Sequence, residues 1–124
     1  MYKSKLTEHS LRVLKPALKF AKGTIKSEIK KGVSHLYVTN QGNLYVVIRP
    51  EGLELVIVAV AGSDLLGSQQ EIVQFAKTSG FKSIRFHSRH PQHLKRGLWG
   101  LPYEIIEIRR SLFGDDEHVF KVGI

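Results

Sequence analysis

Residues 53–80 read LELVIVAVAGSDLLGSQQEIVQFAKTSG, and this stretch decides the fold. Its first part, residues 55–61, is apolar at every position. Such a run is typical of a strand covered on both faces, because a half-exposed strand alternates apolar and polar residues. After Gly62 the apolar residues recur at helical spacing as far as Gly80, a natural helix terminator. The sequence therefore predicts a buried strand, a tight turn and a helix, with Ser63 or Asp64 as the N-cap.

Two short basic helices are predicted before this central unit. The first has apolar residues at helical spacing and ends at Gly23, while Pro16 either kinks it or opens a second helix. Its apolar positions are Leu11, Leu14, Leu18 and Ala21. Thr24 is expected to cap the second helix, residues 25–31, and Gly32 to close it.

Five further strands are predicted around the central one, at residues 33–39, 44–49, 83–87, 103–112 and 118–122. The first two form an antiparallel meander with the central strand, whereas the strand after the central helix must cross over and lie parallel to it. A short helix is expected at residues 91–99. The sequence thus predicts one α/β domain over residues 1–124, with a mixed, mostly antiparallel sheet of about six strands and helices on both faces. Residues 1–32 would form its basic helical part and residues 33–124 the sheet.

The charge of the chain is uneven. Its net charge is +8, and residues 1–31 hold nine Lys or Arg against two acidic residues, a net of +7. Together with a second basic stretch at residues 82–96, they predict a surface for an anionic partner: nucleic acid or another polyanion, an acidic protein or a phosphorylated cofactor. The alternative is a set of solvated helix faces. The residues expected to form this basic surface are Lys15, Lys19, Lys22, Lys26, Arg85, Arg89, Lys95 and Arg96.

Composition and spacing disfavour several classes of site. The chain has no cysteine, which excludes disulfides and thiolate zinc sites. His87, His90 and His93 do not follow a recognised metal-ligand spacing, so no metal site is predicted and they are expected to extend the basic surface. No window approaches the roughly 20 apolar residues of a membrane span, and no membrane partner is expected. Nucleophile-elbow, Walker and dinucleotide motifs are absent. Trp99 is expected in the core.

A series of short motifs, in order along nearly the whole chain, resembles the GNAT acetyltransferase superfamily. More narrowly, it resembles the small GNAT-like proteins encoded among the structural genes of tailed bacteriophages. The motifs are Leu14-Lys15-Pro16-Ala17-Leu18, Gly23-Thr24 with a helix to Gly32, His35-Leu36-Tyr37-Val38, Val60-Ala61-Gly62-Ser63-Asp64, Phe75-Ala76 before Gly80, and an Arg-rich segment leading to Trp99-Gly100.

The resemblance implies a site for acetyl-CoA at the turn after the central strand. In catalytic members this turn reads Gln or Arg, two residues, Gly, one residue, Gly or Ala, and its amides hold the pyrophosphate at the helix N-terminus. The corresponding residues here are Asp64, Gly67 and Gln69. An acidic first residue repels phosphate, and Gln69 would add bulk where the backbone approaches it. The cofactor-binding residues implied are Ala59, Val60, Ala61, Gly62, Gly67 and Ser68.

The resemblance also implies positions for catalytic groups. Glu54 is the candidate general base for an amine, with an exposed structural carboxylate as the alternative. Arg96 stands where active relatives often carry a tyrosine that protonates the leaving thiolate. Tyr103, the nearest phenol, is the candidate for this catalytic role, with packing in the sheet as the alternative.

Three functions follow as hypotheses. The first is a phage-encoded, catalytically degenerate GNAT-fold protein without a cofactor. It would act in the virion or the host cytoplasm as a binding or assembly module for a phage structural or host protein. The second is an active acetyl-CoA-dependent N-acetyltransferase, and the third is nonspecific nucleic-acid binding.

Overall fold

The computed structural model describes residues 1–16, 22–112 and 114–124, and within these ranges the chain forms a mixed seven-stranded sheet and four helices. The strand order is β1-β2-β3-β4-β5-β7-β6, and among these described strands only the β4–β5 pair is parallel. The elements are β1 (Tyr2–Lys3), α1 (Glu8–Leu14), α2 (Lys22–Lys30), β2 (His35–Val38), β3 (Leu44–Glu51), β4 (Glu54–Gly62), α3 (Leu65–Thr78), β5 (Ser83–Ser88), α4 (Pro91–Gly97), β6 (Tyr103–Arg109) and β7 (Glu117–Gly123).

The predicted α/β fold class is confirmed, with one strand more than expected. The additional strand is β1, which pairs antiparallel with β2 through Tyr2 opposite Val38. Two residues are too few to show a periodicity, so this strand is specified by its partner and not by a local pattern.

The N-terminal helices differ from the prediction. Thr7 caps α1 by accepting a hydrogen bond from the Ser10 amide (3.2 Å). The predicted helix stop at Gly23 and cap at Thr24 are wrong, because both residues lie inside α2. A glycine lowers helix stability by only about 1 kcal/mol, which tertiary packing readily offsets. The prediction for Leu18 and Ala21 falls outside the described residues.

The core consists of two apolar layers, one on each face of the sheet. Helices α3 and α4 cover one face, where Ile57, Ile72 and Phe120 are fully buried. Helices α1 and α2 cover β2 to β4 on the other face, around Leu14 and Val47. Strand β4 contributes to both layers, which explains its uninterrupted apolar sequence.

The prediction that Trp99 lies in the core is wrong. Its side chain is 76% exposed, whereas Leu98 beside it is completely buried. Helix α4 ends at Gly97, so the chain that follows places Leu98 inward and Trp99 outward.

A bulge at Val58 interrupts the pairing of β4 with β3. Val47 pairs with Ala59 and Ile48 with Ile57, so Val58 is an extra residue in β4. Such a residue bends its strand and increases the local twist. Beyond Ile57, β4 no longer pairs with β5.

Replacing Gly62 by Ala should destabilise the protein by about 2–3 kcal/mol, because Gly62 has φ +128° and a Cβ there would collide with the backbone carbonyl of Asn43. Chemical denaturation of the variant measures the loss. Gly123→Ala is the control, because a Cβ at that position meets no atom within 4 Å. Equal stabilities of the two variants would contradict this explanation.

Candidate functional site

The divergence of β4 and β5 opens a cleft of about 750 Å³. The two parallel strands are paired only from Glu54 opposite Ser83 to Ile57 opposite Phe86. Beyond that point β4 continues to Gly62 and β5 to Ser88, so the backbone of residues 58–62 has no strand partner on the β5 side within the described part of the chain. Because both strands of the cleft belong to a packed sheet, its walls are fixed by the core on either side.

The structure brings four of the six expected cofactor-binding residues together at this cleft. Ala59, Val60, Ala61 and Gly62 line it along the unpaired edge of β4. Gly67 and Ser68 lie instead in the first turn of α3, where Ser68 is buried.

Asp64 caps α3, which confirms one of the two predicted N-caps. It has left-handed backbone angles (φ 62°, ψ 55°), and its Oδ1 accepts a hydrogen bond from the Gly67 amide at 2.9 Å. The Asp64 carboxylate lies so close to Gly67 that a Cβ on Gly67 would collide with it. The chain's own negative group therefore occupies the start of the helix, where an anion would otherwise be held.

The sequence suggested that Gln69 adds bulk at the turn, but the structure shows that it does not. Its side chain is buried, and its amide donates hydrogen bonds to the carbonyls of Gly97 (2.9 Å) and Trp99 (3.0 Å). Gln69 thus fastens α3 to the end of α4. Sequence alone gave no sign of this role, because the two partners follow 28 and 30 residues later.

Glu54 lies at the opposite end of β4 from Gly62 and is held in an ion-pair network. Its carboxylate contacts Arg85 Nη1 at 2.9 Å and Lys121 Nζ at 3.3 Å and accepts a hydrogen bond from Ser83 Oγ at 2.8 Å. Burial acts to raise the pKa of Glu54, but the hydrogen bonds from Ser83 and Lys121 and the charges of Lys121 and Arg85 lower it overall. A carboxylate with a lowered pKa and three partners is a poor general base at neutral pH.

Tyr103 and Glu54 are not brought together. The Tyr103 ring packs against Phe120, with ring centroids 5.4 Å apart. Tyr103 pairs with Val122, which pairs with Ile84, which pairs with Leu55, so these four side chains share one face of the sheet. Glu54 precedes Leu55 in the same strand and therefore projects from the other face.

His87 and Glu117 form a polar pair in the cleft that the sequence did not reveal. His87 Nδ1 lies 3.0 Å from Glu117 Oε1, and His87 Nε2 accepts a hydrogen bond from Arg85 Nε at 3.1 Å. Both side chains line the cleft. The pair depends on β7 lying next to β5, where His87 pairs with Val119, two residues from Glu117. Sequence periodicity cannot establish which strands become neighbours.

The other histidines do not converge with His87. The rings of His90 and His93 stack at a centroid distance of 5.8 Å, while His87 faces Glu117. Across residues 1–16, 22–112 and 114–124, no group of three or more metal-ligating side chains is close enough to hold an ion.

The predicted basic surface is divided between the two faces of the sheet. Lys15 and Lys26 belong to the α1–α2 side, whereas Lys95 and Arg96 belong to α4 on the opposite side. Lys19 and the side chain of Lys22 lie outside the described residues.

Two arginines of the expected surface are engaged by acceptors of the chain. Arg85 contacts the carboxylates of Glu51 and Glu54 at 3.1 and 2.9 Å. Arg89 donates to the Asp115 carbonyl at 2.7 Å. The residues expected to form the basic surface therefore lie on different parts of the fold.

Among the described residues, no helix is long and apolar enough to cross a bilayer.

Comparison with known proteins identifies the fold. The sequence matches no protein-family model and no curated protein. An acetyltransferase from Bacillus subtilis in complex with CoA superposes with a TM-score of 0.70 at 14% identity, over 98% of this chain and 96% of that one. The ribosomal-protein-S18-alanine N-acetyltransferase of Escherichia coli gives 0.65 at 14% identity, over 98% and 92%. An aminoglycoside 6'-acetyltransferase gives 0.53 at 11% identity, over 99% and 97%. The chain therefore has the α/β fold of the GNAT acetyltransferases.

Proposed function

We propose that this chain is a GNAT-fold protein without a working acetyl-CoA site that serves as a binding module for an anionic partner. The observation that carries the proposal is the hydrogen bond from the Gly67 amide to the Asp64 carboxylate at the start of α3.

Asp64 opposes a phosphate group in two ways. Its carboxylate takes the Gly67 amide, so a bound pyrophosphate would first have to displace it. Its negative charge would then remain next to the phosphates. Two like charges 4 Å apart repel by about 4 kcal/mol at the effective dielectric of a protein surface, against the ~1 kcal/mol that a good N-cap contributes.

The positions of the catalytic candidates support the same conclusion. Glu54 is occupied by Arg85, Lys121 and Ser83, and Tyr103 projects from the other face of the sheet. The His87 ring in the cleft is also engaged, with Nε2 accepting a hydrogen bond from Arg85 and Nδ1 facing Glu117.

The α1–α2 side supplies the proposed binding surface. Its exposed or half-exposed cations form no ion pair with any described residue, so their charge is available to an anionic partner. They are Arg12, Lys15, Lys26, Lys30 and Lys31.

The more specific form of the proposal places the module in a bacteriophage particle or on a host component, with a phage structural or host protein as partner. It rests on the sequence resemblance to GNAT-like phage proteins, because none of the similar structures described above is named as a phage protein. Stoichiometric recovery of the chain with purified virions would support this form, and its absence from particles and from host complexes would contradict it.

The alternative is an active acetyl-CoA-dependent N-acetyltransferase. The cleft between β4 and β5 and the similarity to a CoA-bound acetyltransferase favour it. Cofactor binding distinguishes the two functions.

The unaltered protein should show no saturable binding of acetyl-CoA in calorimetry at physiological salt. Asp64→Gly releases the Gly67 amide and removes the charge, and should raise the affinity by about tenfold or more, which corresponds to ~1.4 kcal/mol. Asp115→Gly is the control, because it removes another carboxylate from the cleft lining without touching α3. Micromolar, saturable binding by the unaltered chain would contradict the proposal and favour the enzyme.

Glu54→Gln should lower the free energy of unfolding by about 1–2 kcal/mol at pH 7, because it breaks charged hydrogen bonds. The pKa of Glu54 is lowered in the folded state, so its contribution is present at neutral pH and is lost as the pH falls through that lowered value. Denaturation of both proteins from pH 7 to about pH 3 should show the difference shrinking below about pH 4. Asp115→Asn should change little, and a pH-independent loss for Glu54→Gln would contradict the ionic role.

Binding of heparin, used as a polyanionic probe, should depend on the α1–α2 side. Lys15→Ala with Lys26→Ala should weaken heparin binding about tenfold, and the affinity of the unaltered protein should fall steeply with salt. The matched control, Lys95→Ala with Arg96→Ala, removes two charges from the opposite side. Equal losses in both double variants would show that the surface is not specific to α1 and α2.

A further inference from the structure

The two edges of the sheet differ greatly in length. One edge is β1, with two residues, and the other is β6, with seven. Strand β6 pairs only with β7, so its outer backbone groups have no strand partner among the described residues. A long edge strand of this kind is a template for pairing with another strand.

Three isoleucines of β6 lie on one face of this edge. Ile105 pairs with Phe120, whose side chain is in the α3–α4 core layer, and Ile108 pairs with His118, two residues away on the same face. Ile106 is the extra residue of a bulge between Ile105 and Glu107, so it lies beside Ile105. Bulges often protect an edge, but here the bulge adds an apolar side chain to it.

These isoleucines are uncovered despite their position beside the core. Ile105, Ile106 and Ile108 are 41%, 49% and 44% exposed. A continuous apolar strip on an edge strand marks an interaction surface, whereas single exposed apolar residues do not.

The opposite face of β6 carries charges in a self-complementary order. Glu104, Glu107 and Arg109 pair with Lys121, Val119 and Glu117 of β7 and therefore share the face away from α3 and α4. Within the strand, Arg109 Nε lies 3.1 Å from Glu107 Oε1.

We propose that the occupant of this edge is a second copy of the chain, paired antiparallel through β6 about a two-fold axis at Glu107. The bulge residues Ile105 and Ile106 together occupy one position along the strand. With that position counted once, Glu104 faces Arg109 of the second copy, and Ile108 faces Ile105 and Ile106 of the second copy. Symmetry produces each pairing twice. The sheet then continues through the interface with opposite charges on one face and six isoleucines on the other.

The order of the charges favours a second copy over an unrelated partner. A strand whose acidic residue lies at one end and whose basic residue lies at the other is complementary to itself when antiparallel. The exception is Glu107, which meets its own symmetry mate at the axis while Arg109 of its own chain partly neutralises it. This single unfavourable contact makes the register testable. The proposal does not depend on whether acetyl-CoA binds.

Sedimentation velocity of the full chain over a range of concentrations tests the dimer. The unaltered protein should pass from monomer to dimer in the micromolar range, and Ile108→Lys should remain monomeric. Leu53→Lys is the matched control, because Leu53 is 65% exposed but lies in the turn between β3 and β4. Cooperative unfolding of each variant shows that it is folded. A monomer at every concentration, open-ended oligomers, or an Ile108→Lys variant that still dimerises would overturn the proposal.

Two substitutions of acidic residues in β6 test the register. Glu104→Arg places two like charges opposite each other and should weaken dimerisation by about tenfold. Glu107→Gln removes the contact at the axis and should strengthen it. Glu8→Arg, on the exposed part of α1, is the control for a general change of charge. Effects of the same sign for Glu104→Arg and Glu107→Gln would contradict this register.

Discussion

One extra residue in β4 controls the shape of this protein. Val58 has no partner in β3, and the bend that it introduces separates β4 from β5 after four paired residues. Because β4 is packed between two core layers, the strand cannot relax back toward β5 without disturbing both. The cleft is therefore a consequence of strand geometry and close packing.

The start of α3, at the end of this strand, is capped from within the chain. Asp64 supplies the N-cap of α3 from within the chain, and its left-handed conformation directs the carboxylate to the Gly67 amide. A helix start that is already neutralised by a carboxylate has little electrostatic attraction left for a phosphate. The Asp64 carboxylate and a bound anion would thus compete for the same donor, the Gly67 amide.

The sheet and the helices on its α1–α2 side carry different kinds of charge: paired charges on the sheet and lysines outside those pairs on the helices. On the sheet face beside α1 and α2, carboxylates and cations from β3, β4, β5 and β7 pair with one another, as in the Arg49–Glu51, Glu54–Arg85 and Glu54–Lys121 contacts. The lysines of α1 and α2 remain outside this network. The net positive charge is consequently displayed by the helices, while the half-buried sheet face is internally balanced, since a buried charge without a partner is costly.

The sequence by itself determined the α/β class, the buried central strand and the helix after it, because these depend on periodicity and on residues adjacent in the chain. It narrowed the N-cap of that helix to Ser63 or Asp64, and the structure shows Asp64. The family resemblance implied cofactor contacts at residues 59–62, and the structure places these residues at the cleft. The sequence misplaced the start of α2, with a cap at Thr24 and a first residue at 25, since packing outweighs the weak helix propensity of Gly23. It could not show that the Gln69 side chain bonds to the end of α4 or that His87 contacts Glu117. Nor could it show that Glu54 and Tyr103 project from opposite faces of the sheet. Those relations are decided by which strands become neighbours and by the bulges that shift which side chains share a face, and such long-range pairings leave no local pattern in the chain.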